Sequence, residues 1–180
     1  EPLFHAMEKS HGLHFDLAVG SSYAAVVESM AKDQVDIAWF GTVSYMQARQ
    51  RGAAELLAVA VDHGDAVYHS AIFVRNGSGI EGLGDLRGKK VAFGDPSSTS
   101  SFNYPVAMMI EGGVHPVRDL GAVVITDSHA ASLGALAKGD VDAACSNMLN
   151  LDRAVEEGVF EEGQIEPVIV SPGIPNPPLA

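Results

Sequence analysis

A chain of 180 residues with 47% hydrophobic side chains is long enough to bury a core and too apolar to stay disordered. Its formal net charge of −12, with 11 scattered Lys and Arg against 23 Asp and Glu, argues against nucleic acid or an anionic membrane surface as a partner. The longest apolar run, LLAVAV at 56–61, is far too short to cross a membrane, and the lone cysteine, Cys145, excludes an internal disulfide and a cysteine metal site.

Turn signals divide the chain into short segments of alternating type. Residues 2–11 read as a helix, and 13–19, LHFDLAV, alternate as a strand does. Residues 22–33 place Tyr23, Val26, Val27 and Met30 on one helical face, with Ser21 or Ser22 as cap. A strand at 35–40, a helix at 42–52 closed by Gly52, and strands at 55–62 and 67–74 come next, followed by a Gly-rich loop at 76–88. Residues 89–94 read as a strand and 98–113 as a helix stopped by Gly112 and Gly113. Strand 121–126, helix 128–139, strand 141–146, helix 147–158 and strand 166–171 complete the series. Strands alternating with helices predict an α/β protein with mostly parallel sheets. Trp39 and Cys145 lie in apolar runs and read as packed side chains, the cysteine as a buried, inert thiol.

One internal echo points to two lobes. Residues 32–38 and 138–144 share the pattern K-x-x-V-D-x-A, each between an amphipathic helix and an apolar strand. The Gly-rich loop lies between the two copies. In open α/β sheets ligands bind beyond the carboxyl ends of strands. Four stretches hold such places here, WFGTVS, GDPSSTSS, TDSHAAS and SNMLN, and all are polar or small.

The GDPSSTSS stretch carries more hydroxyls than one helix cap needs. The first turn of a helix leaves N–H groups unpaired and partly positive, which makes it an anion seat. Ser98, Thr99 and Ser100 add O–H donors at the same point, as a tetrahedral oxyanion requires. Hydrogen bonds to a charged group contribute about 1.5–3 kcal/mol each, and micromolar binding needs about 8 kcal/mol, so four to six suffice after ordering costs. The plainer alternative is a Ser-rich loop with one ordinary cap. Taken alone, Tyr23 and Tyr68 read as core aromatics and His129 as a capping or surface histidine. A serine nucleophile with His129 as base lacks both a G-x-S-x-G elbow and a paired acid. The phosphate-loop and dinucleotide glycine motifs are absent, and His11 and His14 have no third partner at a metal-binding spacing. No metal or cofactor is expected.

The stretches SYAAVVESM, VDIAWFGTVSYMQA, VYHSAIFV, GLGDLRGKKVAFGDPSSTSSFNYP, SHAASLGALAKGDVDAA and NLDRAV resemble the phosphonate-binding component of bacterial ABC transporters. That resemblance implies a type II periplasmic binding fold, two α/β lobes closing on a solute. It implies that Ser98, Thr99 and Ser100 hold phosphonate oxygens, with Tyr23, Tyr68 and His129 also reaching the ligand. It further implies no catalysed reaction, a membrane permease as partner, a monomer, and a periplasmic or extracytoplasmic location, with lipid anchoring left open. Lobe boundaries at 1–74 with 171–180, and at 75–170, follow from the same comparison.

The sequence departs from the pattern of family members that take aminoalkyl phosphonates. Leu149 stands where those members have an acidic residue, Pro177 where they have Asp, and Ser101 where Gly is usual. A desolvated ammonium would find no countercharge at the first two places. A small alkylphosphonate or phosphite is therefore expected over 2-aminoethylphosphonate. Relative to the family, a first strand before residue 1 and helices after residue 180 are expected and not contained in this sequence. The alternatives are a ligand-sensing domain of the same fold and a serine-dependent hydrolase or transferase.

Overall fold

The computed structural model describes residues 2–61, 64–126 and 128–180. Helix α1 (Pro2–His11) opens the chain, followed by α2 (Tyr23–Ala31) and α3 (Thr42–Gln50). Ser22 caps α2 by accepting from the Ala25 N–H at 3.1 Å. Strands β1 (Ala58–Val59) and β2 (Val67–Tyr68) are two residues each, and β3 (Ser70–Arg75) is fully extended. After a 3-10 turn at Leu83–Leu86 come β4 (Lys90–Phe93), a wide π-type turn at Thr99–Asn103 and α4 (Tyr104–Glu111). The order continues with α5 (Pro116–Asp119), β5 (Ala122–Ile125), α6 (His129–Lys138), β6 (Ala143–Asn147) and α7 (Met148–Glu156). It closes with β7 (Ile165–Val170), β8 (Ile174–Pro175) and β9 (Pro178–Leu179).

One five-stranded sheet, β5-β4-β6-β3-β7, forms the second body. Side chains alternate across it, so Ile72 and Val74 enter one core with Phe93, Leu86 and Met109. Ala71 and Phe73 enter the other with Leu133, Leu136 and Ala144. Cys145 is buried among the first set, and burial pushes its thiol well up, as an inert core cysteine requires. A smaller core joins α2 and α3 through Val27, Met30, Phe40, Tyr45 and Ala48, with Ala180 packed against them.

The α/β class holds, but the sheet is mixed and not mostly parallel. Its β5, β4 and β6 strands are parallel, whereas β3 pairs antiparallel with both β6 and β7. The reason is that the chain comes in along β3 and goes back out along β7. β2 leads into β3 and β7 leads into β8, and the two runs pair antiparallel, with Tyr68 opposite Ile174 and Ala71 opposite Val170. Between the two pairs, the Ser171 N–H donates to the Ser70 carbonyl at 2.9 Å and the Ser70 N–H to Ser171 Oγ at 3.0 Å.

Four expected strands are altered. Residues 13–19 form none, because no neighbouring strand meets them. Phe15 instead donates its N–H to Glu8 Oε1 at 2.9 Å and stacks on Phe4 at 5.0 Å. Residues 35–40 are reduced to hydrogen bonds with the tail, Ala38 N–H to the Ala180 carbonyl and Phe40 N–H to that of Pro178. The 55–62 strand shrinks to β1, which pairs with β9; Asp62 lies outside the described residues. Prolines at 175, 177 and 178 cannot donate to a ladder, which keeps the tail pairings short. The expected 67–74 strand breaks at His69, where the chain passes from one sheet to the other.

Candidate ligand cleft at the serine turn

The strand-to-helix passage after β4 is shaped by its own hydroxyls. Asp95 Oδ1 accepts from the Ser97 N–H at 2.7 Å, and the Asp95 carbonyl accepts from the Ser98 N–H at 2.8 Å. Ser98 then caps the helix, with its Oγ accepting from the Ser101 N–H at 3.3 Å and from the Ser101 hydroxyl at 2.7 Å. The Ser98 carbonyl accepts from the Asn103 N–H five residues on at 3.1 Å, which widens the first turn. A Cβ at residue 94 would collide with Ser101 Oγ, so only Gly94 lets the serine tuck in behind the turn. Ser101 therefore braces Ser98 and does not line the cavity.

Ser98, Thr99 and Ser100 are all buried, yet they line one cavity of about 310 Å³. Each of their oxygens accepts from the protein. Ser98 accepts from Ser101, Thr99 Oγ1 from the Val43 N–H at 2.9 Å, and Ser100 Oγ from Asn147 Nδ2 at 3.3 Å. Each hydroxyl proton is thus left to donate, those of Thr99 and Ser100 toward the Tyr68 phenol or a solute that takes its place. The Thr99 and Ser100 amides open the helix and enter no hydrogen bond among the described residues. Three hydroxyls and two amides converge on one turn, all as donors.

The same cavity takes Tyr23 from the start of α2, Tyr68 from the crossing strand β2 and His129 from the first turn of α6. All six residues singled out in the sequence thus line one space. Burial pushes the Tyr68 phenol above its ordinary range, against hydrogen bonding from the Ser100 and Thr99 hydroxyls that lowers it. Tyr68 stays protonated at neutral pH. His129 is not the cap of α6, since Ser128 accepts from the Ala131 N–H instead. Its Nδ1 lies 2.8 Å from Ser146 Oγ, and burial lowers its pKa to about 4, so the ring is neutral.

Sequence reasoning missed Asn147, Asn150 and Arg153, which α7 turns toward the cavity, and it took Trp39 for a packed side chain. Trp39 is 51% exposed and forms part of the wall. Asn147 was legible in principle, as it ends a buried strand and begins a helix. Its Oδ1 caps α7 by accepting from the Asn150 N–H at 2.9 Å, while its Nδ2 reaches Ser100. Leu149 and Pro177, the two departures from the aminoalkyl pattern, both line the cavity. No Asp or Glu is found among the described residues that line it.

A mixed α/β fold with a donor-rich cavity lined by α2, β2, the serine turn and α6 has the architecture of the type II periplasmic binding class. A family model described as the periplasmic substrate-binding protein of phosphonate ABC transporters matches residues 1–180, and the chain belongs to that family. It is 37% identical over 177 residues to the phosphate-import protein PhnD of Mycolicibacterium smegmatis, covering 93% of this chain and 54% of that protein. Against the phosphonates-binding periplasmic protein of Escherichia coli it is 32% identical over 184 residues, covering 99% and 54%. The crystal structure of a binding component of an ABC phosphonate transporter from Pseudomonas aeruginosa superposes with a TM-score of 0.89 at 28% identity, covering 99% of this chain and 61% of the other. The chain thus spans about half the length of the curated relatives it matches.

Proposed function

We propose that the chain captures a small phosphonate-like oxyanion between its two bodies and presents it to an ABC permease outside the cytoplasm, without transforming it. The observation that carries this reading is the orientation of Ser98, Thr99 and Ser100, whose oxygens all accept from the protein and whose protons face the cavity. That of Ser98 is without a partner among the described residues, and those of Thr99 and Ser100 are exchangeable from the Tyr68 phenol to a ligand. With the Tyr68 phenol and the two free amides, six donors are available. At about 1.5–3 kcal/mol each to a charged acceptor, they offset the ordering cost of micromolar binding despite the acidic surroundings. The donors sit in a cleft partly shielded from water, which strengthens each of them.

The lobes are taken as 1–74 with 171–180 and as 75–170, with the strand Ser70–Arg75 pairing into the second body. Tyr23 and the Trp39–Thr42 segment then approach from the first lobe, and the serine turn and His129 from the second. Gly41 sits where they meet, since a Cβ there would lie 3.2 Å from the Tyr23 ring and 3.6 Å from Thr99 Oγ1. The lined cavity supports phosphite or a small alkylphosphonate over 2-aminoethylphosphonate, because Leu149 and Pro177 present no charge to an ammonium. Calorimetry with phosphite, methylphosphonate, 2-aminoethylphosphonate, phosphate and sulfate tests the reading. The first two should lead, and absence of binding by every phosphorus oxyanion would overturn it.

A further inference from the structure

We propose that the cleft beyond the serine turn receives a second anionic group of the solute, so that the preferred ligands are phosphonates whose substituent carries a carboxylate, met by Arg153. This rests on the reading of the serine turn as the seat of the phosphonate oxygens and extends it to the other end of the ligand.

Helix α7 presents Leu149, Asn150 and Arg153 to the cavity. Arg153 lies four residues beyond Leu149 and three beyond Asn150, which makes it the helix-surface neighbour of both. The cavity, about 310 Å³, is at the lower limit of the roughly 300–1,000 Å³ typical of small-molecule sites, and it exceeds the space of a bare three-oxygen anion. Leu149, Pro177 and the Trp39 indole give this space an apolar wall that suits a short carbon linker. Arg153 lines the same space and is the one formally charged side chain among the described residues that do.

A guanidinium offers two parallel donors that match a carboxylate. The molecule carries a net charge of −12, so a solute with a third negative charge is repelled at long range and needs a local cation. Arg153 supplies that cation. The same arrangement repels an ammonium. Because Arg153 is exposed, water and salt screen its attraction, and the gain is smaller than that of a buried pair.

The test is calorimetry of the full chain with methylphosphonate, phosphonoacetate and 3-phosphonopropionate, repeated with Arg153→Met and Arg153→Lys. At least one phosphonocarboxylate should bind about tenfold more tightly than methylphosphonate, and Arg153→Met should abolish that advantage while leaving methylphosphonate within about twofold. Arg153→Lys, which keeps the charge without the fork, should retain part of it. Methylphosphonate binding as tightly as both phosphonocarboxylates would overturn the inference and leave the phosphonate seat intact. So would an equal loss for all three ligands in Arg153→Met, since the guanidinium would then serve the phosphonate itself. Failure of every phosphonate to bind would overturn both readings.

Discussion

Val43 and Thr99, 56 residues apart in the chain, are joined by a hydrogen bond from the Val43 N–H to Thr99 Oγ1 at 2.9 Å. The bond fastens the first turn of α3 to the serine turn, so the two walls of the cleft are held together by one of the hydroxyls proposed to bind the ligand.

Thr99→Val keeps the shape of the side chain and removes its oxygen. The Val43 N–H then loses its acceptor where Thr99 is buried, which should cost about 1–3 kcal/mol of stability. Affinity for a phosphorus oxyanion should fall with it. Thr99→Ser restores both. Urea unfolding and calorimetry on the two variants measure the pair of effects; a Thr99→Val protein as stable as the wild type would dissociate Thr99 from the joining of the walls.

Ser98 and Ser100 should respond differently although they are two residues apart. Ser98 is a cap that accepts both the N–H and the hydroxyl of Ser101, so Ser98→Ala should lower stability by about 0.5–2 kcal/mol as well as weaken binding. Ser100 Oγ accepts only a long bond from Asn147 at 3.3 Å, so Ser100→Ala should act mainly on affinity, by about 1–3 kcal/mol. Melting temperatures and ligand titrations side by side check this division. Equal stability losses for both would show that the cap does not set them apart.

The contrast shows what the sequence could and could not carry. The clustering of hydroxyls, the Gly94 turn and the helix start at Ser98 are local chemistry, and they were legible. The acceptor roles of the three oxygens were not, because Val43 and Asn147 arrive from distant parts of the chain. The alternation of 13–19 suggested a strand, but a strand needs a neighbour, and α1 took its place through Glu8 and Phe4. The pairings of β8 and β9 were hidden by prolines that read as loop. Mixed sheet orientation was equally hidden, since alternating strands and helices do not say that the chain comes in along β3 and goes back out along β7. Arg153 was passed over as one of the scattered cations until α7 turned it toward the cavity.

Stability should fall on acidification through His129. Burial lowers its pKa to about 4, against an ordinary value of 6.5, so above about pH 6.5 the ring is neutral in folded and unfolded chains alike. Between 6.5 and 4 the unfolded chain takes up a proton that the folded one refuses. Stability from this group therefore declines as pH falls across that window and levels off below about 4. The total is on the order of 3 kcal/mol, at about 1.4 kcal/mol for each pH unit. His129→Asn keeps a partner for Ser146 and removes the titration. Thermal unfolding from pH 7.5 to 4 should show a shallower slope for that variant, and parallel slopes would assign the acid sensitivity to other groups.

Selectivity against 2-aminoethylphosphonate should be reversible by charge at two places. Leu149 and Pro177 both line the cavity, and a carboxylate at either would give an ammonium the partner it lacks. Leu149→Glu is the more direct change, since α7 holds that position on the cavity face. It has a built-in opponent, because the new carboxylate would stand four residues before Arg153 and pair with it along the helix. Leu149→Glu alone should therefore raise affinity for 2-aminoethylphosphonate modestly, and combining it with Arg153→Met should raise it further by freeing the carboxylate for the amine. Methylphosphonate, with no charge at that end, should be indifferent to both changes. Titrating the two ligands against the single and double variants reads the coupling directly. If the double variant bound the amine no better than Leu149→Glu alone, the guanidinium would not share that part of the cleft with the substituent.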